Sequence, residues 1–463
     1  MAAKKTLKQL RRQFPEFIYE SYKWEIKKGD LKAHFYFKCG RYSFSPAVTI
    51  KSVPKTALKL DGKVISNFVF NLGLMEMLSY WKAFCSPKIT VLAGGMDKSQ
   101  IKWWEKTLIS GMGQYFYENK INFKTKNFIS ITSEKQSEFK PARVALDKKS
   151  ALVLVSGGKD SAVSLQITKE KKIKSTCLLL NPSPSAKKIA EVSGCREIII
   201  CERVISPKLL ELNRQGFLNG HTPFVAYLSF LSVFVAALFN KKYVVFSNEK
   251  SSNEGNVIYL KEEINHQYSK TFEFENRFRE YLDSYLASSI DCFSLMRPLY
   301  ELQIARIFSK CPIYFPIFLS CNEAEKTYSG TAKKTGKWCE SCAKCLFVYM
   351  AMYPFLKAGE LKKIFATDLY ANKNLLPLLL ELIGEKNIKP LECVGTKKES
   401  LIALYLGWKK NALKGLGQPE LLKYFEEKIM PKERNWEKES EKILGNWDNK
   451  NNLPKKFDFR KDI

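Results

Sequence analysis

The chain is poor in arginine and histidine: 13 of its 76 basic residues are Arg and three residues are His. Bidentate reading of phosphates and base edges favours arginine, so an arginine-poor basic chain argues against a nucleic-acid platform. The lysines are scattered rather than gathered in an arm, and the net charge of +29 reads as an evenly charged surface. A disulfide framework is also missing. Twelve cysteines in 463 residues follow no secreted spacing, and a chain this long builds cores without staples. Cys177 and Cys201 lie in apolar runs, which suits buried free thiols in a reducing, cytoplasmic compartment. Met1 to Phe14 is basic but has no apolar stretch, so no signal peptide is expected. The most apolar run, Phe224 to Phe239, is shorter than the roughly 20 residues of a membrane span. It is expected as a buried helix, and no membrane partner follows.

What is present divides by texture into three regions. Residues 1–147 read as an α+β domain with strand-like runs at Phe17 to Tyr22, Ala33 to Phe37 and Phe68 to Leu72. Breaks fall at Lys28-Gly29-Asp30 and Ser45-Pro46, and helices are expected near 74–84 and 101–117. Gly94-Gly95 reads as an ordinary turn. Residues 148–350 alternate strands (151–155, 175–181, 196–202, 243–247, 316–320) with helices (160–170, 184–193, 222–239, 269–287, 299–309). That alternation is the pattern of an α/β fold with a parallel sheet covered on both faces. Residues 351–463 are helical, ending in a charged stretch, Glu433 to Asp462, expected as a surface helix and a loose tail.

Ligands of such sheets bind at the carboxyl ends of the strands. There the sequence has Val153-Leu-Val-Ser156-Gly157-Gly158-Lys159-Asp160-Ser161: a strand, a glycine turn and a helix start. This arrangement aims backbone N–H groups and the positive end of a helix dipole at one point, a phosphate cradle. It is neither a Walker A loop nor the dinucleotide fingerprint, whose glycine spacings differ. The Ser156 turn, Asn248-Glu249 after the fourth strand and Cys321-Asn322 after the fifth are expected on one rim.

Three further clusters carry chemistry. Ser247 to Asn256 holds Asn248, Glu249, Asn253, Glu254 and Asn256. One reading is Mg²⁺ or substrate binding; the other is a loop whose side chains bond their own backbone. His266 and Lys270 follow, as acid–base candidates beside that polar loop. Cys339, Cys342 and Cys345, with Cys321, have the ligand types and spacing of a tetrahedral structural zinc site. Redox thiols are the alternative, and Cys321, at its expected strand tip, is also a catalytic candidate.

The Ser-Gly-Gly-Lys-Asp-Ser turn resembles the pyrophosphatase loop of the N-type ATP pyrophosphatases, adenine-nucleotide alpha-hydrolase-like enzymes that release AMP and diphosphate. The resemblance implies that Ser156, Gly157, Gly158 and Ser161 cradle the diphosphate and that Asp160 helps to hold Mg²⁺. Lys159 would add charge at the mouth, or be a solvated side chain. The 7-cyano-7-deazaguanine synthases share the loop and a four-cysteine cluster but are much shorter; a nucleobase- or tRNA-modifying adenylase is the alternative reading. A wider match runs through Ser247 to Asn256, Asn265 to Glu275, Arg297 to Arg306, Ser320 to Asn322, Trp338 to Val348 and Leu391 to Thr396. Taken in order, this resembles the UDP-N-acetylmuramoyl-L-alanyl-L-glutamate epimerases of peptidoglycan precursor synthesis. That resemblance implies ATP and Mg²⁺ as requirements, a nucleotide-sugar dipeptide as substrate, and adenylation of the terminal glutamate's α-carboxylate before Cα is inverted. His266, Lys270, Glu249, Glu254, Cys321 and Cys393 are then candidates for proton transfer. Asn248 and Asn253 are candidate ligands of the nucleotide. Arg297 and Arg306 are candidate partners of carboxylate or phosphate, or else of helix-surface ion pairs.

Overall fold

One sheet of eleven strands runs through both the N-terminal region and the region that follows it. The computed structural model describes residues 4–135, 139–325, 335–386, 388–433 and 435–462. Strands β1 (Glu16–Lys27), β2 (Asp30–Cys39), β3 (Tyr42–Phe44), β4 (Ala47–Ile50), β5 (Lys88–Val91) and β6 (Ser130–Ser133) come first. They are followed by β7 (Asp147–Leu154), β8 (Lys174–Leu180), β9 (Glu197–Val204) and β10 (Lys241–Phe246). Strands β11 (Val257–Tyr259) and β12 (Glu262–Ile264) form a separate hairpin, and β13 (Asp291–Ser294) returns to the main sheet. Across the sheet the order is β13-β10-β7-β8-β9-β4-β2-β1-β5-β6, with β3 beside β2. The block from β13 to β9 is parallel throughout. Strand β4 joins it antiparallel to β9, pairing Ala47 with Val204 and Ile50 with Cys201. The expected boundary at 147/148 therefore separates textures but does not separate sheets.

Local chemistry explains the elements. Lys28 and Gly29 both take positive φ (53° and 82°), as a tight hairpin between β1 and β2 requires. Phe68 to Leu72 is not a strand. It lies inside the helix Gly62–Trp81, capped by the Asp61 carboxylate, which accepts from the Lys63 N–H at 2.9 Å. This helix is buried nearly all round, so it carries no polar face to reveal its period. Its Gly73 lets it lie close to the sheet, since a Cβ there would sit 2.0 Å from the Tyr19 hydroxyl. The uncharged run forms the buried helix Phe224–Leu238, and no helix of the described residues is long and apolar enough to cross a membrane.

Three other expectations are corrected. Residues 316–320 form turn and coil, because Pro316 has no N–H to donate to a ladder; the fifth strand of the parallel block is β13 instead. Cys177, in β8, is not a free thiol but is bonded to Cys195, in the turn that precedes β9. The end of the chain is not loose. Phe457 packs on Tyr243 and Phe293, and Asn452 donates to Glu275 at 2.9 Å. It closes over the β10–β13 edge.

Candidate active site

Strand β7 runs into the glycine turn, and the helix Lys159–Glu170 leaves it. Gly157 has φ +91°, and a Cβ there would lie 2.9 Å from the Ala186 nitrogen, so both the turn and the neighbouring chain require glycine. Its carbonyl accepts from the Leu319 N–H and the Ser185 hydroxyl, each at 2.9 Å. The stretch read as a fifth strand is thus a coil braced against the turn. Ser161 Oγ donates to the Gly158 carbonyl at 2.9 Å. Ser156, Asp160, Ser161, Asn248 and Lys270 line a cavity of about 390 Å³ at the carboxyl ends of β7, β8 and β10.

Lys159 corrects the expectation of a charge at the mouth. It is 1% exposed, and its ammonium bonds Asp160 and Glu301 beneath the turn. Burial opposes its charge, but the two carboxylates outweigh that and hold the ammonium form. Glu301, also approached by Lys344 Nζ at 3.4 Å, is held well below the usual carboxylate range against its burial by Lys159 and Lys344. Glu249 behaves oppositely. Burial pushes its carboxyl up to about 7, and its Oε1 is buried with no hydrogen-bond partner. Ligand oxygens of Asp160, Glu249 and Glu301 lie within 4.8 Å of one another. Three carboxylates with hard oxygen donors, one of them carrying an unpartnered buried oxygen, are of the kind that a divalent cation such as Mg²⁺ takes.

The other members of the polar loop are taken up internally. Asn253 bonds the Lys250 carbonyl and the Phe272 N–H, and Asn256 the Pro390 carbonyl. Glu254 accepts from Lys389 and from the Lys397 N–H, each at 3.0 Å. Of this cluster Asn248 and Glu249 face the site, while Asn253 and Glu254 are loop braces. Arg297 is likewise corrected as a ligand of the nucleotide. It is 1% exposed, and its donors go to Glu275, Ser252 and the carbonyls of Glu249 and Lys270. A guanidinium has five N–H donors, and all five are spent holding these loops together. Arg306 ties its helix to the Leu444 carbonyl.

The sulfurs of Cys321, Cys339, Cys342 and Cys345 lie within 4.8 Å of one another. Cys339 to Cys345 is 3.7 Å and Cys342 to Cys345 is 3.5 Å. A tetrahedral zinc with bonds of about 2.3 Å separates its sulfurs by about 3.8 Å, so the quartet fits that ion. Cys321 belongs to this quartet and accepts from the Cys339 N–H at 3.4 Å.

The model of the MurL N-terminal domain matches residues 8–295, and that of the MurL C-terminal domain matches residues 317–439. The chain belongs to the MurL family. It is 31% identical over 402 residues to the UDP-N-acetyl-alpha-D-muramoyl-L-alanyl-L-glutamate epimerase of a Micromonospora strain, covering 86% of this chain and 88% of that protein. The enzyme of the same name from Xanthomonas oryzae pv. oryzae is 33% identical over 348 residues, covering 74% and 76%. That from Salinispora tropica is 31% identical over 411 residues, covering 87% of each chain. In this MurL chain the first matched segment carries Asp160, Glu249, His266 and Lys270, and the second carries the cysteine quartet and Cys393. Glu301 falls between them. Sequence reasoning missed Glu301 as a site residue, although a lone acid inside the apolar stretch Leu299 to Ala305 was a usable signal.

Proposed function

We propose that this protein inverts the terminal L-Glu of UDP-N-acetylmuramoyl-L-alanyl-L-glutamate to D-Glu, using ATP and releasing AMP and diphosphate. What supports the reading is the glycine turn at a cavity on the strand ends, lined by Asp160, whose carboxylate is grouped with the buried ones of Glu249 and Glu301, in a chain whose relatives are named as epimerases of that dipeptide. A free α-carboxylate makes the adjacent Cα–H very weakly acidic, because its loss leaves a dianion. Transfer of AMP to that carboxylate removes the charge and leaves an activated acyl group, from which the proton departs far more readily. The turn's N–H groups and the start of the helix Lys159–Glu170 bind the diphosphate portion. Asp160, Glu249 and Glu301 would hold Mg²⁺, which supplies charge neutralisation on the phosphates when bound. Lys270 offers its ammonium at the cavity wall, held charged against burial by Cys393, Glu249, Asp160 and Glu301. The test is incubation with ATP, Mg²⁺ and the UDP-muramoyl dipeptide, followed by chiral analysis of glutamate and assay of AMP. The expected result is D-Glu together with AMP; absence of both would reject the reading.

For the cysteine quartet we propose structural zinc. Elemental analysis is expected to find about one zinc per chain, and Cys345→Ser, at the buried end of the cluster, is expected to lose it together with thermal stability. A metal-free preparation of full stability would remove this assignment.

A further inference from the structure

Cys393 is half-buried, and its Sγ lies 3.7 Å from His266 Nε2. The other ring nitrogen, Nδ1, lies 2.5 Å from Gln114 Oε1. The Gln114 amide is itself oriented, because its Nε2 donates to Glu118 at 2.8 Å. An amide oxygen only accepts, so His266 Nδ1 carries the proton and Nε2 presents a lone pair to the thiol. The Asn256 carboxamide fixes the backbone beneath, accepting from the His266 N–H at 2.8 Å. His221, its ring 4.5 Å from His266, is kept neutral chiefly by burial. The result is a thiol, a base and an orienting group in series, the arrangement that activates a cysteine. The pair is tied to the cavity through the loop that carries it: Lys270, four residues after His266, lines that cavity.

We infer that Cys393 exchanges the Cα proton on one face of the substrate glutamate, with His266 taking the thiol proton, Gln114 positioning the imidazole and Lys270 serving the other face. This rests on the adenylation reading above and assigns the step that follows activation. His266 Nε2 accepts the thiol proton. The thiolate then removes Cα–H; the C–H bond breaks, S–H forms, and the electron pair moves toward the acyl carbon, leaving charge on its oxygen. The Lys270 ammonium delivers a proton to the opposite face, so that N–H breaks and C–H reforms with inverted configuration. The imidazolium returns its proton to the Lys270 amine, which restores thiol, imidazole and ammonium.

The test uses the full chain with ATP, Mg²⁺ and the UDP-muramoyl dipeptide in D₂O, reading AMP, Cα deuterium and glutamate chirality together. Cys393→Ala is expected to go on releasing AMP when the dipeptide is present, while D-Glu formation falls by about 10²- to 10⁴-fold, the usual worth of a positioned acid or base. Cys393→Ser, which keeps the volume, is expected to show the same split. Gln114→Leu should lower the epimerisation rate without lowering AMP release, and Gln114→Glu, which keeps the acceptor oxygen for His266 but loses the donor to Glu118, should restore part of it. Continued AMP release with D-Glu at the wild-type rate in both Cys393 variants would overturn the assignment and leave the adenylation reading standing. Loss of AMP release in both would equally overturn it, by placing Cys393 in activation. Absence of AMP from the wild-type protein would reject the adenylation reading and this assignment with it.

Discussion

Asp160→Ala is expected to cut dipeptide-dependent AMP release by about 10²- to 10³-fold, the scale of removing one preorganised charged group from a transition-state site. Asp160 stands at the first turn of the helix that leaves the glycine turn, and its carboxylate joins those of Glu249 and Glu301. Without it the pair that remains includes Glu249, whose carboxyl is pushed toward its neutral form by burial. The remaining charge faces the ammonium groups of Lys159, Lys344 and Lys270, so the site is no longer one that attracts a divalent cation. The Asp160 side chain is 25% exposed and Lys159 keeps Glu301 as a partner, so its removal should leave the fold intact by circular dichroism, with a lower melting temperature. AMP release at the wild-type rate from Asp160→Ala would show that the glycine turn does not work with these carboxylates.

The second large effect falls on stability. Glu301→Gln is expected to cost about 3–5 kcal/mol in urea denaturation, as breaking a buried ion pair does. Glu301 is 1% exposed and holds both Lys159 and Lys344, each nearly buried. Replacing its carboxylate by an amide of the same shape leaves two ammonium groups close together in a poorly solvated place, with only Asp160 bonding one of them. Adding Lys159→Met to Glu301→Gln should recover part of the loss, because one uncompensated charge is removed. A Glu301→Gln protein as stable as the wild type would mean that this network carries no net electrostatic weight.

How much of this was legible in the sequence depended on the range of the interaction. The glycine turn was legible because its signal is local: a strand, two glycines, an acid and a helix start within nine residues. Strands β7 to β10 and their helices were legible for the same reason, through alternation and period. The cysteine quartet followed from ligand type and spacing. By contrast, Lys159 meets Glu301 across 142 positions and His266 meets Gln114 across 152, and no local pattern announces either. The polar loop misled because Asn253, Glu254 and Asn256 have the composition of ligands while their bonds stay within the protein. Arg297 misled similarly, since a guanidinium that ties loops together and one that binds phosphate look alike until its donors are counted. Phe68 to Leu72 misled because a helix buried on every side has no polar face to set its rhythm.

The seam between β4 and β9 has a consequence for how the chain is made. Ile50 pairs with Cys201, so a ribosome adding about 5–20 residues per second leaves the outer edge of β4 unpaired for roughly 8–30 s before its neighbour emerges. An unpaired strand edge recruits other strands, so the newborn N-terminal region is the point at which overexpression is most exposed to misassembly. A fragment begun at residue 148 would carry the complementary fault permanently, because β9 would face solvent where β4 should lie. Slower initiation or chaperone co-expression should therefore raise the soluble yield of the intact chain more than that of such a fragment.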